Sequence, residues 1–260
     1  DDSVTRVVEQ KPYIIRRARG YAPNPLRLDG DLPEILAAGA ELKNTFCLSK
    51  KNYAFISHHI GDLENYETYR SYSEAIHHFE TLFRVNPQAI ACDMHPDYLA
   101  TQYARERAEQ DNLPLMEIQH HHAHLAACLA DNLYQGDDPV TGIIFDGSGY
   151  GTDHRIWGGE ILVGGDLAYQ RAYHLKYVQM PGAELAVRNP YRMALSHLRA
   201  AGIELNPKFG FLTDLSDEER HIIDIQLEKG INSPPTSSMG RLFDAVSAFL
   251  GIRNKINYEG

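Results

Sequence analysis

A cluster of four histidines lies within residues 120–124, and two of them have the spacing of metal ligands. His120 and His124 are four positions apart, so on a helix their side chains project from the same face. Zinc-binding helices of the HExxH type use this spacing, and neutral imidazole is the commonest metal ligand in proteins. We therefore predict that His120 and His124 bind a metal ion. His121 and His122 would support these ligands or face a bound molecule. The alternative is a helix start on the surface that is simply rich in histidine.

Asp146 is the next acid at the end of a predicted strand, Thr141–Phe145. The histidine cluster follows another predicted strand, Leu115–Ile118, and open α/β sheets form their sites at the carboxyl ends of strands. A carboxylate at the same edge would complete a set of two histidines and one carboxylate, which suits zinc or iron. We predict that His120, His124 and Asp146 form a catalytic metal site.

The segment after Asp146, DGSGYG, is rich in glycine. Glycine permits positive φ and close backbone approach, so that N–H groups can point at an anion. We predict a phosphate-binding loop beside the metal site, and its residues would be Gly147, Ser148, Gly149 and Gly151. The alternative is a tight hairpin turn, because the strand-like sequence IWGGEILV follows.

A second glycine lies at the start of a predicted helix, in SSMGRLFDAVSAFLG, residues Ser237–Gly251. Helix N-termini attract phosphates, and Gly240 would allow a nucleotide to approach closely. Asp244 lies one turn further on. We predict that Gly240 and Asp244 contribute to nucleotide binding, and the alternative is an ordinary helix with a serine cap.

The elements that must position these residues alternate between strand and helix from about Glu41. This order predicts an α/β sheet. Residues 1–30, by contrast, show no periodic pattern and suggest a tail or linker. The predicted elements of this half are a strand at Asn52–Ser57, a helix opened by a capping box at Ser71 and Glu74 and running to about Val85, a strand at Ala89–Asp93, a helix at Pro96–Gln110, the strand Leu115–Ile118, a helix at His122–Asn132 and the strand Thr141–Phe145.

After Gly151 the pattern changes to a β-hairpin followed by helices. The hairpin strands would be Ile156–Val163 and Tyr169–Tyr177, with a turn at residues 164–166. The predicted helices are about Tyr191–Ala201, Asp217–Lys229 with Ser216 before it, and Ser238–Leu250.

Composition excludes several classes of protein. The chain has 260 residues and a net charge of −10, which argues against a broad nucleic-acid-binding surface. It has no apolar run long enough to cross a membrane and no secretory signal at its start. The three cysteines, Cys47, Cys92 and Cys128, form no CxxC pair, which fits a reducing cytoplasm, and we expect each to be a small buried apolar residue.

Several long motifs in the right order identify the chain as resembling the HypF family, the carbamoyltransferases of nickel–iron hydrogenase maturation. They are LKNTFCLSKKNYAFISHHIGDLENYET, CDMHPDYLATQYA, QHHHAHLAACLADN, FDGSGYGTDHRIWGGEIL and SSMGRLFDAVSAFLGI. The similarity extends over about Arg16–Gly260. It implies an α/β fold of the actin-like ATPase type, related to the tRNA threonylcarbamoyl transferases.

The resemblance also implies a domain organisation. Residues 1–26 would be the tail of a YrdC-like domain with a linker, and residues 27–260 a carbamoyltransferase domain. The family has a further aspartate near its C-terminus, preceded by a glycine-rich nucleotide segment, and neither occurs before Gly260. We therefore expect the second lobe to be incomplete, with the fourth metal ligand and the rest of the nucleotide site beyond this sequence.

The reaction implied by the resemblance has two stages. Carbamoyl phosphate and ATP give carbamoyl-adenylate at the YrdC-like site, and the present domain transfers the carbamoyl group to the C-terminal cysteine of the partner HypE. The implied cofactors are a divalent metal, zinc or iron, and ATP or carbamoyl-adenylate. The resemblance maps the metal ligands onto His120, His124 and Asp146.

Three other functions stay open at this point. A tRNA threonylcarbamoyl transferase is disfavoured by the net charge and by HHHAH in place of a Glu-Gly-bearing motif. A non-catalytic module that docks a maturation partner would suit an incomplete lobe. A plain metallohydrolase would hydrolyse carbamoyl phosphate or ATP without an acceptor.

Overall fold

The computed structural model describes residues 2–257, apart from the side chains of Asp29, Thr213 and Asp214. The chain forms two compact units. The first contains Asp1–Gln119 and Ala130–Gln135, and the second contains His120–Leu129 and Gly136–Gly260. This division does not test the predicted boundary between residues 26 and 27, which stays a prediction.

The first unit begins with an antiparallel hairpin, in a segment where the sequence shows no periodic pattern; that this segment is the tail of a YrdC-like domain stays a prediction. Strand β1 (Val4–Val8) pairs with β2 (Lys11–Arg16), and Glu9 and Gln10 turn the chain with positive φ angles of 49° and 65°. Almost all residues of both strands are exposed. Because neither face is buried, no alternation of apolar and polar residues marks these strands in the sequence.

A mixed five-stranded sheet forms the rest of the first unit, with strand order β3-β5-β4-β6-β7. Strands β4, β6 and β7 are parallel, and β3 and β5 run antiparallel to their neighbours. Helices connect the parallel strands, as the βαβ pattern predicts. The elements are β3 (Leu26–Leu32), β4 (Ile35–Ala37), β5 (Cys47–Ile56), α1 (Tyr66–Phe83), β6 (Ala89–Asp93), α2 (Leu99–Asp111) and β7 (Leu115–Ile118).

Strands β6 and β7 have the predicted bounds, but helix α1 starts earlier than predicted. Its N-cap is Asn65, whose side chain accepts hydrogen bonds from the amides of Glu67 and Thr68. The capping box predicted at Ser71 and Glu74 is wrong, because that spacing falls inside the helix. The buried aromatic residues of α1 pack on the sheet in a core with Phe46 and Ile90.

The second unit contains a five-stranded sheet whose central strand is β9. Strand β9 pairs antiparallel with β8 and with β10, and a single residue pair joins it to β12 in parallel. The predicted hairpin is confirmed as β9 and β10. The strands are β8 (Val140–Tyr150), β9 (Ile156–Gly164), β10 (Tyr169–His174), β11 (Val178–Gln179) and β12 (Pro235–Thr236).

The helices of the second unit surround a separate apolar core. Helix α3 (His120–Asp131) starts two residues before the predicted bound, and its last two residues belong to the first unit. The other helices are α4 (Glu184–Arg188), α5 (Pro190–Ala201), a 3-10 helix (Gly210–Asp214), α6 (Asp217–Lys229) and α7 (Met239–Phe249). The predicted serine caps of α6 and α7, Ser216 and Ser238, are confirmed. Met193 and Phe211 are fully buried in the core between these helices.

Within residues 2–257, no helix is long and apolar enough to cross a membrane.

Candidate functional site

Three imidazole nitrogens converge on one carboxylate oxygen at the start of α3. Atom Oδ2 of Asp146 lies 3.2 Å from Nε2 of His120, 3.5 Å from Nε2 of His121 and 3.7 Å from Nε2 of His124. This oxygen is buried, and no residue that the structure describes gives it a hydrogen bond of normal geometry. A buried acceptor normally has a partner, so an acceptor surrounded by ring nitrogens is suited to a cation.

The donor set fits a divalent metal ion. One ligand atom from each of His120, His124 and Asp146 lies within 4.8 Å of the other two. Two imidazoles and one carboxylate are the donors of many catalytic zinc and non-haem iron sites. The structure therefore brings the three predicted ligands together, and whether they bind a metal stays a prediction.

Helix α3 sets the different roles of the histidines. Because it begins at His120, its first turns present His120 and His124 on one face. His121 is fully buried, and its ring lies parallel to that of Trp157 at 6.2 Å. His122 points to the β9–β10 turn instead, where its Nε2 lies 2.9 Å from the carbonyl oxygen of Gly165.

The carboxyl of Asp146 stays ionised over the whole physiological range. Burial raises its pKa, but the contacts with His120, His121 and His124 and a 2.7 Å hydrogen bond from the amide of Gly147 outweigh burial. The net effect holds the pKa of Asp146 well below its usual range. A permanently charged carboxylate next to imidazoles is the state that a metal ion requires.

The glycine-rich segment is not the loop that the sequence suggested. Strand β8 continues through it to Tyr150, and the register with β9 shifts between Phe145 and Gly149. Asp146 thus lies at a β-bulge inside β8 rather than at the end of a strand, and neither the predicted loop nor the alternative hairpin turn forms at residues 146–150. Bulges re-aim side chains next to functional sites, and here the bulge presents Asp146 to α3.

The glycines of this bulge serve close packing, and none of the three has positive φ. A Cβ at Gly149 would lie 2.5 Å from Cε1 of His121, and one at Gly151 would lie 2.1 Å from Nε1 of Trp157. A Cβ at Gly147 would meet no described atom within 4 Å, and Ser148 is exposed. Gly147 and Ser148 are therefore the two open positions of the segment.

The N-terminus of α7 is joined to the bulge. The hydroxyl of Ser238 donates to the carbonyl oxygen of Gly147 at 2.6 Å and accepts from the amide of Arg241 at 3.0 Å. A Cβ at Gly240 would lie 3.0 Å from Cα of Gly147. The structure therefore brings the two predicted nucleotide glycines, Gly147 and Gly240, into contact.

Asp244 has a partner within α7. Its Oδ2 accepts a 2.6 Å hydrogen bond from Nε of Arg241. Burial raises the pKa of Asp244, and the ion pair with Arg241 opposes that effect. A contact from Asp244 to a nucleotide would compete with this ion pair, and the predicted role of Asp244 stays a prediction.

The sequence interpretation missed a buried polar network next to these residues. Its centre is Glu160, which is fully buried on β9 and pairs with Arg171 of β10 at 2.6 Å. Burial raises the pKa of Glu160, but the bonds to Arg171 and to the hydroxyl of Ser237 lower it below its ordinary value overall. The available signal was an acid inside the apolar strand IWGGEILV, because a buried charge needs a partner.

An open groove of about 470 Å³ lies between α3 and β8, and the candidate ligands His124 and Asp146 are among the residues that line it. Cys128 also lines this groove and is exposed, so the expectation that all three cysteines are buried is wrong for Cys128. Cys92 is buried and Cys47 is half-buried. One side of the candidate metal site is therefore open to approaching molecules.

Two family models match the chain. Residues 31–131 match "HypF Kae1-like domain", and residues 142–260 match "Carbamoyltransferase, Kae1-like Domain, second subdomain". Among curated relatives, the carbamoyltransferase HypF of Rhizobium leguminosarum is 42% identical over 265 residues, and the probable carbamoyltransferase HypF of Methanocaldococcus jannaschii is 38% identical over 263 residues. Each alignment covers 100% of this chain but only 33% and 34% of the relative.

Solved structures give the same result. A full-length HypF in a phosphate- and nucleotide-bound form superposes with a TM-score of 0.91 at 47% identity, covering 100% of this chain and 34% of that one. The HypF of T. kodakarensis gives 0.88 at 37% identity, covering 100% and 35%. The chain therefore spans about a third of the length of these relatives. The expected α/β fold, of the actin-like ATPase type, is confirmed.

Proposed function

Because this chain belongs to the HypF carbamoyltransferase family, we propose that it carries the site of carbamoyl transfer. In this proposal it receives carbamoyl-adenylate, made from carbamoyl phosphate and ATP in a YrdC-like domain of the intact protein. It passes the carbamoyl group to the C-terminal cysteine thiolate of HypE: a carbon–sulfur bond forms, the bond between the carbamoyl carbon and the phosphate oxygen breaks, and AMP leaves. The observation that supports this most strongly is the convergence of His120, His124 and Asp146 beside the N-terminus of α7.

His120, His124 and Asp146 would hold a zinc or iron ion. When bound, the ion would supply a Lewis acid that polarises an oxygen of the carbamoyl or phosphate group. The contribution of the protein is to fix the donors: α3 orients two imidazoles, and the bulge of β8 aims the carboxylate. The low pKa of Asp146 keeps that carboxylate in its binding form.

The start of α7 would bind the phosphate of the adenylate. The first N–H groups of a helix lack partners within the helix, and its N-terminus carries partial positive charge. The amide of Arg241 is bonded to the side chain of Ser238, which leaves Met239 and Gly240 as the natural amide donors to an anion. The space beside Gly147 is open and leaves room for a phosphate, and the absence of a side chain at Gly240 lets the start of α7 lie directly against Gly147.

In this proposal the acceptor thiol comes from the partner, and neither Cys47 nor Cys92 is suited to replace it. Burial raises the pKa of the Cys47 thiol to about 12 and that of Cys92 to about 11. At neutral pH these thiols are almost entirely protonated, and the protonated thiol is a poor nucleophile.

The test is the double variant His120→Ala/His124→Ala in the intact protein. We expect it to remain folded, to lose the metal in elemental analysis and to lose carbamoyl transfer to HypE. A matched control, His174→Ala/His221→Ala, removes two exposed imidazoles on other elements and should keep both properties. Unchanged transfer by the His120/His124 variant would contradict the proposal, and capture of HypE by the wild type without transfer would favour the docking function instead.

A further inference from the structure

The carboxylate of Glu160 is fully buried and accepts hydrogen bonds from three parts of the second unit. Atom Oε1 accepts from the amides of Gly158 and Gly159, at 3.1 and 3.2 Å, and from the hydroxyl of Ser237. Atom Oε2 accepts from Nε of Arg171 at 2.6 Å. Glu160 therefore joins its own strand β9 to β10 and to the residue that precedes the cap of α7.

Arg171 is held in one orientation by aromatic rings and oxygen atoms. Its guanidinium carbon lies 3.8 Å from the ring centre of Trp157, and Nη1 donates to the hydroxyl of Tyr177 at 2.8 Å. Its Nη2 lies 3.3 Å from the hydroxyl of Ser237. Asp153 accepts from both Trp157 and Tyr177, at 2.7 Å each, so the aromatic residues are themselves fixed.

Two short connections lead from this ion pair to the candidate site. The first passes through Ser237 to Ser238, whose hydroxyl bonds the carbonyl oxygen of Gly147, the residue after Asp146. The second passes through Trp157, whose ring is parallel to that of His121. The pair touches none of the candidate ligands directly, so any effect on them must pass through these neighbours.

The space around Ser237 leaves little freedom. A Cβ at Gly159 would lie 2.6 Å from the carbonyl oxygen of Ser237, and one at Gly158 would lie 3.0 Å from Cα of Ser238. The two glycines of WGGE thus allow the segment before α7 to lie directly on β9, and Glu160 then bonds it there. Close contact and the buried ion pair together set the position of the helix start.

We propose that Glu160 and Arg171 are positioning residues for the phosphate-binding half of the site. Through Ser237 and Ser238 they hold the N-terminus of α7 against the bulge of β8, so that the first amides of the helix lie next to the open position at Gly147. This inference rests on the proposed function, since it concerns the nucleotide part of that same site. Neither residue contacts the reacting groups.

The test uses the intact protein and titration with AMP-PNP, a non-hydrolysable ATP analogue. Gly240→Asp, which puts a side chain and a negative charge against Gly147, identifies the binding event that belongs to this site. We expect Glu160→Gln and Ser237→Ala each to weaken that binding event at least tenfold, without changing metal content or any other AMP-PNP site. Glu160 and Ser237 act through the same hydrogen bond, so their effects should not add. The double variant should bind AMP-PNP at most about threefold more weakly than the single variant that has the lower affinity.

The matched control is Glu219→Gln. It removes the negative charge that pairs with Arg192, a buried arginine in the second unit. It should lower the melting temperature and leave AMP-PNP affinity unchanged. If Glu160→Gln behaves like this control, the pair is merely structural and the inference is wrong. If Glu160→Gln does not fold, Ser237→Ala decides the question, because it removes only one hydroxyl. If the Gly240→Asp variant binds AMP-PNP as tightly as the wild type at every site, the proposed function itself is overturned.

Discussion

The hydroxyl of Ser238 donates a 2.6 Å hydrogen bond to the carbonyl oxygen of Gly147, the residue that follows the candidate ligand Asp146. The same hydroxyl caps α7 by accepting from the amide of Arg241. One side chain therefore fixes both the start of a helix and the bulge that aims a carboxylate. The metal-binding and phosphate-binding parts of the candidate site share this contact.

Ser238→Ala should destabilise the protein by about 2–3 kcal/mol, because it removes a helix cap and a buried hydrogen bond together. Ser216→Ala is the matched control, since Ser216 caps α6 through the amide of Glu219 but is exposed. It should cost only about 1 kcal/mol. Urea denaturation of both variants measures the difference, and equal losses would show that the bond to Gly147 contributes nothing.

Gly149→Ala should destabilise the protein and weaken metal binding. The new methyl group would lie 2.5 Å from Cε1 of His121 and 3.0 Å from Cβ of His120, so the start of α3 must shift, at a cost of about 1–3 kcal/mol. Gly147→Ala offers the comparison in the same segment, because its methyl group meets no described atom within 4 Å. We expect Gly147→Ala to keep its stability and metal content but to bind nucleotide more weakly. Equal metal affinity in both variants would refute the packing argument.

His124→Ala and His121→Ala should separate metal binding from folding. The side chain of His124 is 55% exposed, so its removal should reduce metal affinity while changing the unfolding free energy by less than about 0.5 kcal/mol. His121 is fully buried, so its removal leaves a cavity and should cost about 2–4 kcal/mol. Competition with a chelator measures the metal affinity, and thermal unfolding measures the stability. A large loss of stability in metal-free His124→Ala would contradict the assignment of His124 as a metal ligand with no role in folding.

His197 should make stability depend on pH. Burial lowers the pKa of His197 below its ordinary value of 6.5, so the unfolded chain binds the proton more readily than the folded chain. The resulting stability is fully present above pH 6.5 and decreases as the pH falls from there through the lowered pKa of the folded state. His197→Gln cannot take up this proton, and its unfolding free energy should depend less steeply on pH between 7.5 and about 5. Parallel slopes for wild type and variant in denaturant titrations would exclude this role.

The sequence predicted the elements whose signals are local. Strand Ala89–Asp93 is a short apolar run, and helix Asp217–Lys229 has a serine cap before it and a glycine after it, so both bounds agree with the structure. The three candidate metal ligands could be predicted because a helical spacing brings His120 and His124 together and the apolar run before Asp146 marks its strand. Each of these inferences needs only neighbouring residues.

The rest of the site depends on contacts between distant residues. DGSGYG was interpreted as a phosphate-binding loop because glycine permits positive φ and close backbone approach, whereas in the folded chain Gly149 and Gly151 make room for His121 and Trp157. Glu160 and Ser237 are 77 positions apart, and no local pattern links them. Tertiary packing overrode local preference at both places.

The position of Ser238, 92 residues after Asp146, also has a consequence for the order of assembly. Strands β8, β9 and β10 are consecutive and pair through short connections, so loop-closure entropy favours their early formation, with Asp146 already on the bulge. The contact between α7 and that bulge closes a much longer loop, so its formation carries a larger entropy cost. In a newly synthesised chain we expect the candidate metal ligands to come together before the proposed phosphate site at α7 is complete, and amide hydrogen exchange at α7 would report that later step.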